Sequence, residues 1–146
     1  MLTLRTTGPV CSETTAMDIS NMTDGMTAGL TVFQRQYGYI GVVMRDGKKY
    51  IVMQKTDSNK DADGRCRSMT ELKDTHMLYL KITCDFRERR DEAAFYYSLD
   101  NETWIQTGEI LYMNYDIPDF TGYRYGLFAY ADNETKGFVD FDWFRF

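Results

Sequence analysis

The chain has 146 residues, enough for one domain (1–146) with a single core. Its 17 basic and 22 acidic residues leave a net charge of −5, so there is no basic face to displace counterions and nucleic acid is excluded as a partner. No apolar run in these residues approaches the ~20 that cross a bilayer, so no membrane partner is expected.

The opening "MLTLRTTGPVCSE" lacks the basic-then-apolar order of a secretory signal, so a cytoplasmic location is expected. Cys11, Cys66 and Cys84 make an odd count without CxxC spacing, which fits reduced thiols; one disulfide with one free thiol is the alternative. Next come the β-rich runs "TTAMDIS", "AGLTVFQ", "YGYIGVVMR" and "KKYIVMQK". "TDG" at 23–25 breaks the series, and "RDGKK" at 45–49 reads as a tight hairpin tipped by Asp46-Gly47. Around "SMTELK" there is a weak helical period. "HMLYLKITCDF" alternates, with Leu78, Leu80, Ile82, Cys84 and Phe86 on one face and Tyr79, Lys81, Thr83 and Asp85 on the other. "RERRDE" at 87–92 carries both signs and fits a solvated hairpin end. "AAFYYSLD" places Phe95, Tyr97 and Leu99 together, and "LDNETW" at 99–104 is a polar turn. In "FTGYRYGLFAYA", Leu127, Ala129 and Ala131 alternate with Phe128 and Tyr130, giving a strand with one face in the core. After "NETKG", "FVDFDWFRF" puts Val139, Phe141 and Trp143 on one side, opposite Asp140 and Asp142.

Short alternating runs, about ten of them, separated by turn residues predict an all-β fold, an antiparallel two-sheet β-sandwich. Several strands are apolar or aromatic on both faces. One face fills the core, and the other needs a ligand, a neighbouring domain or solvent-tolerant tyrosines.

Few residues are suited to catalysis. His76 is the only histidine and there is no GxSxG elbow, so a triad or a two-histidine metal site is hard to assemble. Paired carboxylates run glycoside hydrolysis, and Asp140, Asp142, Glu102 and Glu109 are the candidates, but spacing places no two of them across a cleft. "NKDADG" at 59–64 imitates the opening of a calcium loop through Asn59, Asp61 and Asp63; the closing Glu is displaced, with Thr at position 70 and Glu at 71. Asp140 and Asp142 are a second weak calcium candidate, and no cofactor is otherwise expected. Tyrosine and tryptophan rings suit the C–H faces of sugars, which makes Tyr37, Tyr39, Tyr96, Trp104, Tyr123, Tyr125, Tyr130 and Trp143 candidate stacking residues. Each of them could equally fill a sandwich core.

Four stretches together carry a resemblance: "AGLTVFQRQYGYIGV" (28–42), "AFYYSLDNETWIQTGEIL" (94–111), "DFTGYRYGLFAYA" (119–131) and "GFVDFDWFRF" (137–146). In this order they resemble the C-terminal domain of glycoside hydrolase family 43 enzymes, the β-xylosidases and α-L-arabinofuranosidases. The resemblance implies a concanavalin A-like jelly roll that is not itself the hydrolase and packs on a catalytic β-propeller. It also implies that the loop Phe120, Thr121, Gly122 and Tyr123 reaches the rim of the substrate pocket, with Phe120 foremost. The family's sandwich usually has another strand or two before "LTLRTTGP", and the propeller precedes it. A missing first strand would leave an edge that invites pairing with a second copy. The family's Gly pair before "VDFD" is replaced here by Lys136-Gly137. The expected role is therefore a non-catalytic accessory domain, with an independent binding module for plant cell-wall oligosaccharides of the xylan or arabinan type as the alternative.

Overall fold

The computed structural model describes residues 2–5, 10–33, 37–55, 65–73, 75–85, 92–112, 124–131, 137 and 139–145. Every regular element among them is a strand, numbered along the chain. One sheet has the order β1 (Leu2–Arg5), β11 (Arg124–Ala131), β3 (Met26–Phe33), β4 (Tyr37–Arg45), β5 (Lys48–Lys55) and β6 (Arg65–Leu72). The other has β10 (Leu111–Tyr112), β8 (Glu92–Ser98), β7 (Met77–Asp85), β2 (Val10–Asp18) and β12 (Asp140–Arg145), with β9 (Ile105–Gln106) also paired to β8. All pairs are antiparallel.

The chemistry of the sequence explains the strand ends. β4 and β5 coincide with the runs "YGYIGVVMR" and "KKYIVMQK". Between them Asp46 and Gly47 take φ of 53° and 75°, the pair of positive values that a two-residue hairpin turn requires. The Gly47 amide donates to Asp24 Oδ1 (2.9 Å), and the Gly25 amide to the Met44 carbonyl (2.8 Å), which locks the 23–25 turn against this hairpin. After β8, Asp100 Oδ1 accepts from the amides of Glu102 (2.9 Å) and Thr103 (2.8 Å) and from Ser98 Oγ (2.9 Å). These bonds hold its carboxyl down to about 2.

Inward-facing side chains of both sheets make one core. Leu30, Val32, Ile40, Val42, Ile51 and Met53 come from the first sheet; Met17, Leu78, Leu80, Ile82 and Phe95 come from the second. Burying each contributes about 1.5–3 kcal/mol. The alternation expected of β7 holds along Leu78, Leu80, Ile82 and Cys84, all fully buried.

Four sequence expectations are corrected. Residues of the "SMTELK" segment lie in strand β6, because cross-strand pairing to β5 outweighs a weak helical period. Leu99 does not share the core face of Phe95; it lies beyond β8, at the start of the turn, and is 54% exposed. Trp143 does not share a face with Phe141. The register slips between them, so Phe141 lies opposite Met17 while Trp143 lies opposite Ala16. That bulge inserts one residue and turns Trp143 to the outer face. Tyr125 is fully buried and belongs to the core rather than to a sugar platform.

The core also holds a polar group. Cys11 and Cys84 are unbridged register partners on β2 and β7. The Tyr125 hydroxyl donates to the Cys11 carbonyl (3.3 Å) and lies 3.4 Å from Cys11 Sγ. Burial pushes the Tyr125 phenol up, and the hydrogen bond to Cys11, with burial second, pushes the Cys84 thiol up. On the same face of β2, Glu13 is buried and its Oε2 has no hydrogen-bond partner. Burial first, and the charge of Cys11 second, move its carboxyl up to about 8.

Candidate functional site: an aromatic cleft on the first sheet

With Ala28, Leu30 and Val32 turned inward, alternation sends Thr27, Gly29, Thr31 and Phe33 of β3 to the outer face of the first sheet. Their register partners on β4 are Val43, Gly41, Tyr39 and Tyr37. Across the other flank of β3, Phe128 lies opposite Gly29 and Tyr130 opposite Thr27. A cross-sheet row thus reads Val52, Gly41, Gly29, Phe128, with no side chain at its centre. The two glycines are required there. A Cβ on Gly29 would collide with the Ile40 carbonyl oxygen and sit 2.5 Å from the Gly41 Cα.

The rings of Tyr39 and Phe128 meet over this bare strip edge to face, with centroids 4.9 Å apart and planes at 65°. Tyr130 stacks beside Phe128 at 5.9 Å and 23°. Gln54 of β5 ties the tyrosines together: Tyr39 Oη donates to Gln54 Oε1 (2.9 Å), and Gln54 Nε2 donates to Tyr37 Oη (3.3 Å). Thr31 Oγ1 donates to the Gly38 carbonyl (2.9 Å), which removes its hydroxyl from the open side. The result is an open cleft of about 380 Å³, floored by Thr31 and walled by Phe33, Tyr37, Tyr39, Gln54, Phe128 and Tyr130. Tyr39 is 9% exposed and Tyr130 51%. Tyr39, Val43 and Val52, with Tyr37, Tyr50 and Phe128 against them, form a second hydrophobic cluster outside the core. Such a surface can take an apolar side chain or a sugar face, with the Gln54 amide and tyrosine hydroxyls offering hydrogen bonds.

Of the aromatic candidates, Tyr37, Tyr39 and Tyr130 are brought together in this cleft. Tyr96, Trp104 and Trp143 lie instead on the other sheet, where Lys81 stands over the rings of Trp104 and Tyr96 and Trp143 leans on Tyr79. Phe120, Thr121, Gly122 and Tyr123 lie outside the described residues, as do Asp61 and Asp63. β11, which follows residue 123 in the chain, enters the first sheet with Arg124 opposite Phe33, at the Tyr37 end of the cleft.

The carboxylate candidates do not converge. Asp140 and Asp142 are exposed on β12, and Glu102 sits in the turn held by Asp100. Glu109 lies 3.4 Å from the ammonium of buried Lys55, which also donates to the Ile110 carbonyl (3.2 Å). Among the described residues no group of three or more His, Cys, Asp or Glu side chains is placed to hold a metal ion. His76 is exposed and lines a larger cleft of about 460 Å³ with Lys48, Lys49, Lys73 and Glu71. That cleft carries mixed charge and no Phe, Tyr or Trp ring, so the 380 Å³ cleft is the better candidate.

The whole chain, residues 1–146, matches the family described as the β-xylosidase C-terminal concanavalin A-like domain. The chain belongs to that family. A β-xylosidase of Formosa agariphila is 25% identical to this domain over 142 residues, which are 97% of this chain and 21% of the relative. A bifunctional GH43-CE protein from Bacteroides eggerthii is 45% identical, with a TM-score of 0.89, over 98% of this chain and 18% of its own. A family 43 glycoside hydrolase, engineered at its active site to display both endo-xylanase and exo-arabinofuranosidase activity, is 28% identical, with a TM-score of 0.89, over 98% of this chain and 30% of its own. The concanavalin A-like domain described above thus spans less than a third of each of these relatives, which are longer chains.

Sequence reasoning missed Gln54, Phe33, Phe128 and Thr31 as cleft residues. Parity carried the signal for Gln54: it lies two and four residues from Val52 and Tyr50, on the outward face of β5.

Proposed function

We propose that this domain is the non-catalytic accessory part of a family 43 glycoside hydrolase of the β-xylosidase kind, and that its first-sheet cleft docks on the catalytic propeller and helps shape the sugar pocket there. The observation that carries this reading is the second hydrophobic cluster around Tyr39 and Phe128, which no described element of the chain covers. A sheet face that gathers this many rings outside the core marks an interaction surface. The match to stretches of longer glycoside hydrolase chains supports a partner within the same polypeptide. The Phe120 loop, leading into β11 at the Tyr37 end of the cleft, would then lie beside the contact and reach toward bound sugar. No hydrolysis is assigned to this domain itself.

The test adds the purified domain in trans to the family 43 portion of the Bacteroides eggerthii relative. Sedimentation reads association, and aryl-xyloside turnover reads function. Wild-type domain should associate and raise turnover, whereas Tyr39→Ala with Phe128→Ala should associate at least about tenfold more weakly, as expected for two aromatic anchors. Equal association of the double variant and wild type removes the docking reading. Turnover by the domain alone removes the accessory reading.

A further inference from the structure

We propose that the outer face of the second sheet is a separate glycan shelf that selects oligosaccharides bearing a carboxylate, with Lys81 as the selecting residue. Register sets out the shelf. Trp143, Ala16 and Tyr79 lie in one cross-strand row, and Thr14, Lys81 and Tyr96 in the next. Ala16 is small enough for Trp143 to lean across it to Tyr79, with ring centroids 6.0 Å apart and planes at 33°. Lys81 Nζ lies 4.4 Å from the centroid of Trp104 and 5.2 Å from that of Tyr96. All four rings are half-buried, so each keeps exposed area to offer the C–H face of a sugar.

The cation points to the ligand's charge. Lys81 makes no ion pair with any described residue, in a chain whose net charge is −5. The ammonium sits over the two rings on a half-buried side chain, so it keeps access to solvent. Folding alone does not call for a lysine at an outward position between two aromatic rings; a β-branched residue would pack there. The nearest acidic pair on this face, Asp85 opposite Glu92, is four residues along β7 and thus about 13 Å away. An ammonium set over two aromatic rings and in no ion pair among the described residues suits a uronic acid branch on an otherwise neutral sugar chain.

The shelf lies on the opposite side of the sandwich from the Tyr39–Phe128 cleft, so a domain docked through its first sheet still presents it. The choice of a xylose backbone as probe rests on the proposed function; the site itself does not. Tryptophan fluorescence and calorimetry would be titrated with xylo-oligosaccharides carrying glucuronic acid, and with unsubstituted ones of equal length. The expected result is a preference of about tenfold or more for the acidic ligand, weakening as salt rises. Lys81→Met should abolish the preference and leave neutral binding in place, Lys81→Arg should retain it, and Trp104→Ala should weaken both ligands. Circular dichroism identifies any variant that fails to fold, and Lys81→Gln then replaces Lys81→Met. Equal affinity for the two ligands, no binding of either, or an unchanged preference in Lys81→Met each overturns the proposal. Tyr39→Ala with Phe128→Ala must leave this binding unaltered, which separates its failure from a failure of the docking reading.

Discussion

Glu13→Gln should abolish most of the dependence of stability on pH between mild acid and mild base. Glu13 faces the core opposite Ile82, is 2% exposed, and leaves Oε2 without a partner. Its carboxyl is held at about 8 in the folded chain against an ordinary value of 4.5. Because the folded value is the higher one, the stability tied to the neutral acid is fully present below 4.5 and is lost as pH rises toward about 8. Within that window the unfolded chain has released a proton that the folded chain keeps, so unfolding becomes easier by about 1.4 kcal/mol per pH unit. The whole loss is on the order of 5 kcal/mol, a large fraction of the 5–15 kcal/mol that typically holds a domain folded. Asp18 and Asp100 are shifted down, so they act in more acidic solution and leave this window clear. The assay is urea unfolding of both proteins at several values from roughly pH 5 to pH 8, reading the midpoint at constant slope. Wild type should weaken steadily, while the variant's midpoint should stay nearly level. The buried amide also brings unpaired donors costing about 1–3 kcal/mol, so the slope with pH is the diagnostic rather than the absolute midpoint. Parallel pH profiles for the two proteins would refute the buried-acid argument.

Three further expectations concern the scaffold of the cleft and shelf. Gly29→Ala should cost about 1–3 kcal/mol in urea unfolding, because its Cβ meets main chain rather than a side chain that can move; a neutral result would show that β3 and β4 part easily. Tyr125→Phe deletes a hydroxyl bonded to the Cys11 carbonyl inside the core and should lower stability by about 1 kcal/mol with no loss of ligand binding. Asp100→Ala removes the acceptor for two turn amides, so it should shift Trp104 emission and reduce the acid-side loss of stability seen as wild type falls from about pH 4 toward 2, leaving the share that Asp18 carries. An unchanged spectrum would mean that the turn does not set the position of Trp104.

The sandwich was legible because period-two patterning survives wherever a strand is buried on one face, as in Leu78 to Cys84. Turn chemistry was equally plain at Asp46-Gly47, where only a left-handed pair closes the hairpin. A bulge defeats the same counting: one extra residue between Phe141 and Trp143 reverses every later side chain, and no composition marks it. Tyr125 and Tyr130 look alike in the sequence. One is buried beneath the second sheet and the other is exposed on the opposite side of β11, toward its far end, a distinction that depends on which strands lie over them. Gln54 and Lys81 escaped notice because each acts through neighbours brought from other strands, Tyr37 and Tyr39 for one, Tyr96 and Trp104 for the other.

Pairing of the early strand β2 with β12, and of β3 with β11, joins segments roughly 90 to 130 positions apart. A ribosome must therefore release nearly the whole chain before either layer can close, and loop closure over such spans is slow. Any domain translated ahead of this one would already be folded by then, offering the late-forming sandwich a finished surface on which to assemble.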